Sequence, residues 1–385
     1  MMKPPGFKSS NDDLNKVLRL KRAIYGLKQS SRAWYQRVEE LLQSLGYKKS
    51  KLEPCLFTKF NNGVKIIIAL YVDDFFVFSN NEKETILLKE SLSSKFKIKD
   101  LGCVKNCLGM RVTVDKENGT ITLDQESYIE ELLLKFNISE CKSAETPIEP
   151  RLNLVKSEKC EKRLPYQKLI GSLMYVAVLT RPDIVFSVNF LSQFNNCYNE
   201  EHWACAKRVL KYLKKTKSFC LKFSASGNSQ LEAFVDADWA SNVSDRKSYT
   251  GYFFRLSNCA ISWETKKQIT VALSSMEAEY MGISESCKEA VYLRSLLFEL
   301  TNETYPIPIF NDNQSAHKLS ANPIYHKRSK HIDVRYHFCR EKVADGIVKI
   351  KYLSTSEMPA DLLTKGLCKI KHYNFLKMFG LFAKN

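Results

Sequence analysis

Two adjacent carboxylates, Asp73 and Asp74, sit inside the apolar run VKIIIALYVDDFFVFS, residues 64–79. A β-branched and aromatic run of this kind favours strands, and a strand buried at its middle cannot carry two neighbouring charges without partners. The run therefore predicts two strands joined across Asp73-Asp74, with the acids lifted to the tip of a hairpin. Such a pair is a candidate metal site; for a lone pair, ordinary turn chemistry is the competing reading.

The flanking segments supply a scaffold for that hairpin. Arg32 to Tyr47 reads as an amphipathic helix with Trp34, Val38, Leu41 and Leu45 on one face and Gly46 as its stop. Glu82 to Phe96 is a second helix, and NGTITLDQESYIEELLLKF is a hairpin running into a third. KLIGSLMYVAVLTRPDI is a buried helix stopped at Arg181-Pro182, and a basic helix follows from Glu201. Near Gly227 the character changes. Strand-like segments end at LEAFVDADWA, SYTGYFFRL and AISWETKKQ, and a strand then passes into a long helix ending at SLLFEL. Further on, PIPIFNDNQSAHKL is strand into helix, HIDVRYHFCREKVADG helix, IVKIKYL strand and PADLLTK helix. Three strands, helix, strand, helix, strand, helix predict a mixed sheet with helices packed against it. The chain thus divides at about residue 226 into an N-terminal α+β domain, 1–225, and an α/β domain, 226–385.

Composition narrows the partners. A formal charge of +17 over 385 residues favours a polyanion, nucleic acid ahead of a membrane surface. Lys207, Arg208, Lys211, Lys214 and Lys215 crowd one helical segment, with Trp203, Val209, Leu210 and Leu213 available to anchor its other face. These cations are candidate contacts to a nucleic-acid backbone, sequence-independent and weakened by salt; a solvated helix face is the alternative. The 12 cysteines show no metal-site spacing and read as a reducing compartment. No apolar run approaches membrane-spanning length, so the expectation is a soluble intracellular protein, cytoplasmic or nuclear.

Four acids mark the second domain: Asp236 in AFVDADWAS, Glu277 in SSMEAEY, Asp312 in IFNDNQSA and Asp361 in MPADLLTK. Taken singly, most have a structural account. Ser274 and Glu277 fit a capping box, Asp312 suits a helix entry, and Asp361 behind Pro359 suits the positive end of a helix dipole. Asp236, an acid inside an apolar strand, resists such an account, with Asp238 on the same strand face as its rival. Four carboxylates converging on one sheet edge would repel one another unless cations sat between them. Two Mg²⁺ ions about 4 Å apart would be the standard solution.

The motifs DADWA, RKSYTGY, ISWETKKQITVALSSMEAEY, NDNQSA, SKHIDVRYHF and MPADLLTK, in order across residues 232–367, resemble the ribonuclease H domain of copia-type retrotransposon polyproteins. LKRAIYGLKQSSRAWY, LYVDDFFVFS, CLGMRV, LIGSLMYVAVLTRPDI and AKRVLKYLKKT resemble the reverse transcriptase of the same family, with Ser31 where the family usually has proline. The resemblance implies a partial reverse transcriptase palm and thumb followed by a ribonuclease H. It implies hydrolysis of the RNA strand of an RNA–DNA hybrid, with Asp236, Glu277, Asp312 and Asp361 as ligands of two Mg²⁺ ions. It also makes Asp73 and Asp74 metal-holding acids of the polymerase. The family carries a further catalytic aspartate upstream of the segment that MKPPGF resembles, and fingers besides, so the polymerase half is expected to be inactive in this chain. His331 and His337 stay outside the catalytic set. The alternative from another class is a catalytically dead or co-opted relic that binds nucleic acid through its basic surface.

Overall fold

In the computed structural model, which describes residues 17–240, 244–314 and 333–384, the run around Asp73-Asp74 forms two antiparallel strands. They are β3 (Val64–Tyr71) and β4 (Asp74–Ser79), the inner and outer members of a four-stranded sheet begun by β1 (Lys48–Lys49) and β2 (Leu56–Asn61). Helix α1 (Ser30–Ser44) precedes the sheet and α2 (Glu82–Lys95) follows it, close to the spans expected from their apolar spacing. Val38 and Leu42 of α1, Phe57, Ile66 and Ile68 of the strands, and Leu88 and Leu92 of α2 are buried in one core. Glycine stands at position 46 because the chain leaves α1 there with φ +84°, a region where a side chain is strained.

The chain clusters into two units, Met1–Leu101 with Glu299–Thr301, and Gly102–Phe298 with Asn302–Asn385. The break in compactness thus falls at residue 101/102, whereas the change in sequence character falls near 226. Residues 102–225 belong to the same compact unit as the C-terminal sheet.

That second unit holds two sheets. One is built from β5 (Asn106–Cys107), β6 (Met110–Asp115), β7 (Thr120–Asp124) and β8 (Phe219–Ser224), all antiparallel. Its far edge is closed by β14 (Leu381–Ala383), which pairs with β8 through Leu381↔Leu221. Between β7 and β8 lie α3 (Glu126–Lys135), α4 (Tyr166–Leu179), a 3₁₀ turn at Pro182–Ile184, α5 (Val185–Ser192) and α6 (Glu200–Lys215). The other sheet consists of β9 (Glu232–Ala237), β10 (Tyr249–Leu256), β11 (Cys259–Lys267), β12 (Ile307–Asn311) and β13 (Val348–Tyr352), in the order β11-β10-β9-β12-β13. The first three strands run antiparallel, while β12 is parallel to both β9 and β13. Helix α7 (Ser275–Thr301) links the antiparallel part to β12, and α8 (Asp333–Ala344) precedes β13.

Both faces of this mixed sheet are covered. Ala233, Val235 and Phe254 join Tyr280, Ile283 and Cys287 of α7 in one core. Phe234 and Phe253 stack on the opposite side, where Phe253 meets Phe379 at 3.9 Å between ring centroids. The expected order of strands and helices is otherwise present among the described residues, with two differences: residues 269–273, expected as a strand leading into the long helix, form none, and a second segment takes a tighter turn. PADLL, residues 359–363, is a 3₁₀ turn rather than an α-helix, and the α-helix comes later as α9 (Lys369–Met378). The helix expected after Asp312, and His331, lie outside the described residues.

A buried ionic network ties α9 to the helical layer. The Arg181 guanidinium donates to both carboxylate oxygens of Asp183, at 2.9 and 2.7 Å, and to Thr216 at the end of α6. Tyr212 donates to Asp183 at 2.6 Å, and His372 Nε2 lies 2.9 Å from the Tyr212 hydroxyl. Arg181 and Asp183 are shut off from solvent. Burial raises the Asp183 carboxyl, and the guanidinium beside it more than reverses that, holding it below the usual carboxylate range.

Candidate metal centre

Strand β9 puts Asp236 one residue from its C-terminal end, between β10 on one side and β12 on the other. The parallel register Ile309↔Ala233, continued three residues, brings Asp312 level with Asp236 just past the end of β12. Neighbouring strands lie about 4.8 Å apart, so two carboxylates in that register are necessarily close. The third acid comes from α7, which approaches β9 closely because Gly282 has no side chain. A Cβ there would stand 3.1 Å from Val235 Cγ2. The acid that this approach delivers is Glu279. One oxygen from each of Asp236, Glu279 and Asp312 falls within 4.8 Å of the others.

Glu277, the residue expected from the sequence, is elsewhere. Its carboxylate accepts the Leu273 backbone N–H at 2.8 Å, and its own N–H donates to Ser274 Oγ at 3.2 Å. It closes the start of α7. Two positions apart on an α-helix are turned by about 200°, so Glu277 and Glu279 cannot both face the sheet. Glu279 instead accepts the Ala237 N–H at 3.1 Å and the Asn311 amide at 2.8 Å, which fixes it between β9 and β12.

Asp238, the rival acid, turns to the neighbouring strand and accepts the Tyr249 N–H. Burial pushes it up to about 7 against that hydrogen bond. Asp361 lies close to Asp236 but outside the group of three. Its 3₁₀ turn packs on β10 at Gly251, the residue paired with Asp236, where a Cβ would meet Leu363 Cβ at 2.5 Å. The Asp361 side chain is buried, with Lys365 Nζ 2.7 Å from one oxygen and Lys371 Nζ 2.5 Å from the other. Lys365 also reaches Asp236 at 3.4 Å, and the Thr364 hydroxyl donates to the same Asp236 oxygen. Asp312 accepts a hydrogen bond from Thr355 at 2.7 Å.

The electrostatics follow from crowding and burial. Asp236 is pushed up to about 6, by burial first, with Lys365 opposing and Asp361 and Asp312 adding repulsion. Glu279 is raised well above the carboxylate range by burial and then by Asp236 and Asp312. Desolvated acids forced together in this way are stabilised by a bound cation, and an all-oxygen donor set suits a hard one such as magnesium.

The other expected sites are arranged differently. Asp73 and Asp74 are exposed at the β3–β4 turn, where Val72 takes φ +55° at the first loop position. A β-branched residue is strained there. Trp34 of α1 holds that turn, its indole N–H donating to the Val72 carbonyl at 2.7 Å. Among the described residues no third acid completes a metal-sized group with this pair. In α6, Arg208 is paired with Glu149 at 2.8 Å, Lys215 with Glu145, and Lys214 donates to the Cys141 carbonyl. Lys207 stands over the Trp203 ring. Protein partners thus take up much of the charge expected for a nucleic acid. His337 lies in α8, apart from the three acids.

Residues 1–150 match the family model described as reverse transcriptase (RNA-dependent DNA polymerase). The chain is 40% identical over 374 residues to the retrovirus-related Pol polyprotein from transposon TNT 1-94 of Nicotiana tabacum, covering 95% of this chain and 28% of that protein. It is 32% identical over 289 residues to a putative transposon Ty5-1 protein of Saccharomyces cerevisiae, covering 74% of this chain and 93% of that one. The chain belongs to the copia-type retrotransposon Pol family. Within that family it spans about a quarter of the length of the first plant polyproteins it matches. Among solved structures it is similar to a foamy viral protease-reverse transcriptase in complex with dsDNA, at 15% identity and TM-score 0.44, covering 87% of this chain and 60% of that one. No described helix is long and apolar enough to cross a membrane.

Proposed function

We propose that residues 226–385 of this Pol-family chain act as a Mg²⁺-dependent ribonuclease H that hydrolyses the RNA strand of RNA–DNA hybrids. The observation that carries this reading is the meeting of Asp236, Glu279 and Asp312 within 4.8 Å at one edge of the mixed sheet. The three are the residues that would hold the metal. Asp361, whose 3₁₀ turn packs on Gly251 through Leu363 and Thr364, would be the fourth acid of the set. Divalent ions bound there supply an activated water and charge stabilisation for the leaving oxygen of a phosphodiester. The chain's own residues do the positioning. Asn311 and the Ala237 N–H aim Glu279, Thr364 orients Asp236, and Thr355 steadies Asp312. The basic surface, with Lys207 and Lys211 of α6 the least committed to protein acids, would meet the nucleic-acid backbone.

Cleavage of a labelled RNA–DNA hybrid in Mg²⁺, with Asp312→Asn as control, tests this. Cleavage that disappears in the variant supports it. Hybrid bound at low salt but never cut would refute it and favour a nucleic-acid-binding relic. For residues 1–225 the reading is a reverse transcriptase palm and thumb in which Asp73 and Asp74 are two of the metal-holding acids. Primer extension on a primed template, compared with Asp74→Asn, tests the reading of that pair, and extension unchanged in the variant would overturn it.

A further inference from the structure

Lys365 stands four residues after Asp361 and bridges two carboxylates that belong to different elements. Its ammonium lies 2.7 Å from Asp361 Oδ1 and 3.4 Å from Asp236 Oδ2. It therefore connects the isolated acid to the group of three. Lys371, the other cation on Asp361, contacts Oδ2 and the Thr355 carbonyl. The two lysines are thus not equivalent: one spans the interval between Asp361 and Asp236, and the other anchors Asp361 from behind, from α9.

We propose that Lys365 is a resident cation of the metal centre, holding Asp236 and Asp361 together when no ion is bound there and yielding its place when a second divalent ion binds. The inference rests on the nuclease reading of Asp236, Glu279 and Asp312. The backbone geometry makes the placement a property of the fold. Gly251 lets Leu363 and Thr364 lie directly on β10 beside Asp236, so the next residue along is delivered to the gap between the carboxylates. The side chain also has somewhere to go. Its exposure is 40%, while the Asp236 and Asp361 side chains are 3% and 0% exposed. A flexible four-carbon stem can swing its charge to solvent, where the acids cannot follow. A unit positive charge this near a ligand oxygen opposes the entry of another cation.

Titration of the full 385-residue chain with Mn²⁺, followed by calorimetry without nucleic acid, tests this. The wild-type chain should take up a first ion more tightly than a second. Lys365→Met should tighten the second step by roughly tenfold or more. Lys365→Arg, which keeps the charge, should stay near wild type, and Lys371→Met should change the second step less than Lys365→Met does. Coinciding titrations of wild type and Lys365→Met would overturn the inference while leaving the nuclease site standing. A wild-type chain that takes up no Mn²⁺ would overturn both. If Lys365→Met unfolds without metal, circular dichroism during the titration reads the same competition. Refolding on Mn²⁺ addition is then expected, and no refolding at any Mn²⁺ concentration counts against the proposal.

Discussion

Replacing Arg181 with methionine removes the guanidinium from a wholly buried network while keeping most of its volume. The residue donates to both oxygens of Asp183 and to the Thr216 carbonyl and hydroxyl, with no solvent access at either end of the pair. Deleting one partner of such a pair costs about 3–5 kcal/mol, because the remaining carboxylate stays buried without its cation. The lower end is expected here, since the Tyr212 hydroxyl still donates to Asp183. At about 2 °C per kcal/mol for a unit this large, a loss of about 3 kcal/mol lowers the Tm by roughly 6 °C. Thermal unfolding by circular dichroism, with urea unfolding to check that the m-value is unchanged, measures it. The pH dependence has a definite sign. In wild type the depressed Asp183 carboxyl contributes stability at neutral pH that is lost as pH falls. Without Arg181 the buried acid favours its neutral form, so the deficit of the variant should shrink as the pH is lowered toward about 5. Pairing the change with Asp183→Leu should restore most of the loss, because no lone charge is left inside. A single-variant loss below about 1 kcal/mol, or a double variant no better than the single one, would refute this reasoning.

Glu279→Gln should abolish hybrid cleavage, whereas Glu277→Gln should retain it and lose about 1 kcal/mol of stability as a weakened cap, a contrast read by parallel cleavage and melting assays. Gly251→Ala should cost about 1–3 kcal/mol and weaken Mn²⁺ binding together, because its Cβ pushes the Asp361 turn off β10; a variant with wild-type melting and metal affinity would contradict the close contact. His372, held neutral by burial with its pKa lowered to about 4, binds a proton more readily unfolded than folded. Wild type should therefore lose up to about 3 kcal/mol as pH falls from about 6.5 to 4, and His372→Gln should flatten that part of the stability curve.

Much of this architecture is readable from the sequence because its signals are local. The Asp-Asp turn, the apolar spacing of α1 and α2, and the strand and helix order after Gly227 need no knowledge of distant contacts. Asp236 is identifiable because an acid in an apolar strand has no local explanation. Glu279 escapes a sequence reading that favours Glu277, although the signal is there. The S-x-x-E pattern already assigns Glu277 to the helix start, and the acid left over is the better candidate for the sheet. PADLL has a proline, an acid and leucines suited to an α-helix, yet it is a 3₁₀ turn lying against Gly251 of β10, a contact that the local sequence does not announce. The basic segment of α6 reads as free because its counter-ions, Glu145 and Glu149, lie 70 and 59 residues away in sequence. Pairings over such distances are what a one-dimensional reading cannot supply.

The pairing of β14 with β8 means that the strand at residues 219–224 receives its outer neighbour from residues 381–383. During synthesis the β5–β8 sheet is therefore made long before the strand that covers it, and it waits with an open row of amide and carbonyl groups. An uncovered strand edge is a template for joining other chains. Cutting the chain near 226 would make that wait permanent for the first piece. The second piece would carry away a helix and a strand whose docking surface had stayed behind. A division drawn where the sequence changes character would thus separate two pieces that share one sheet.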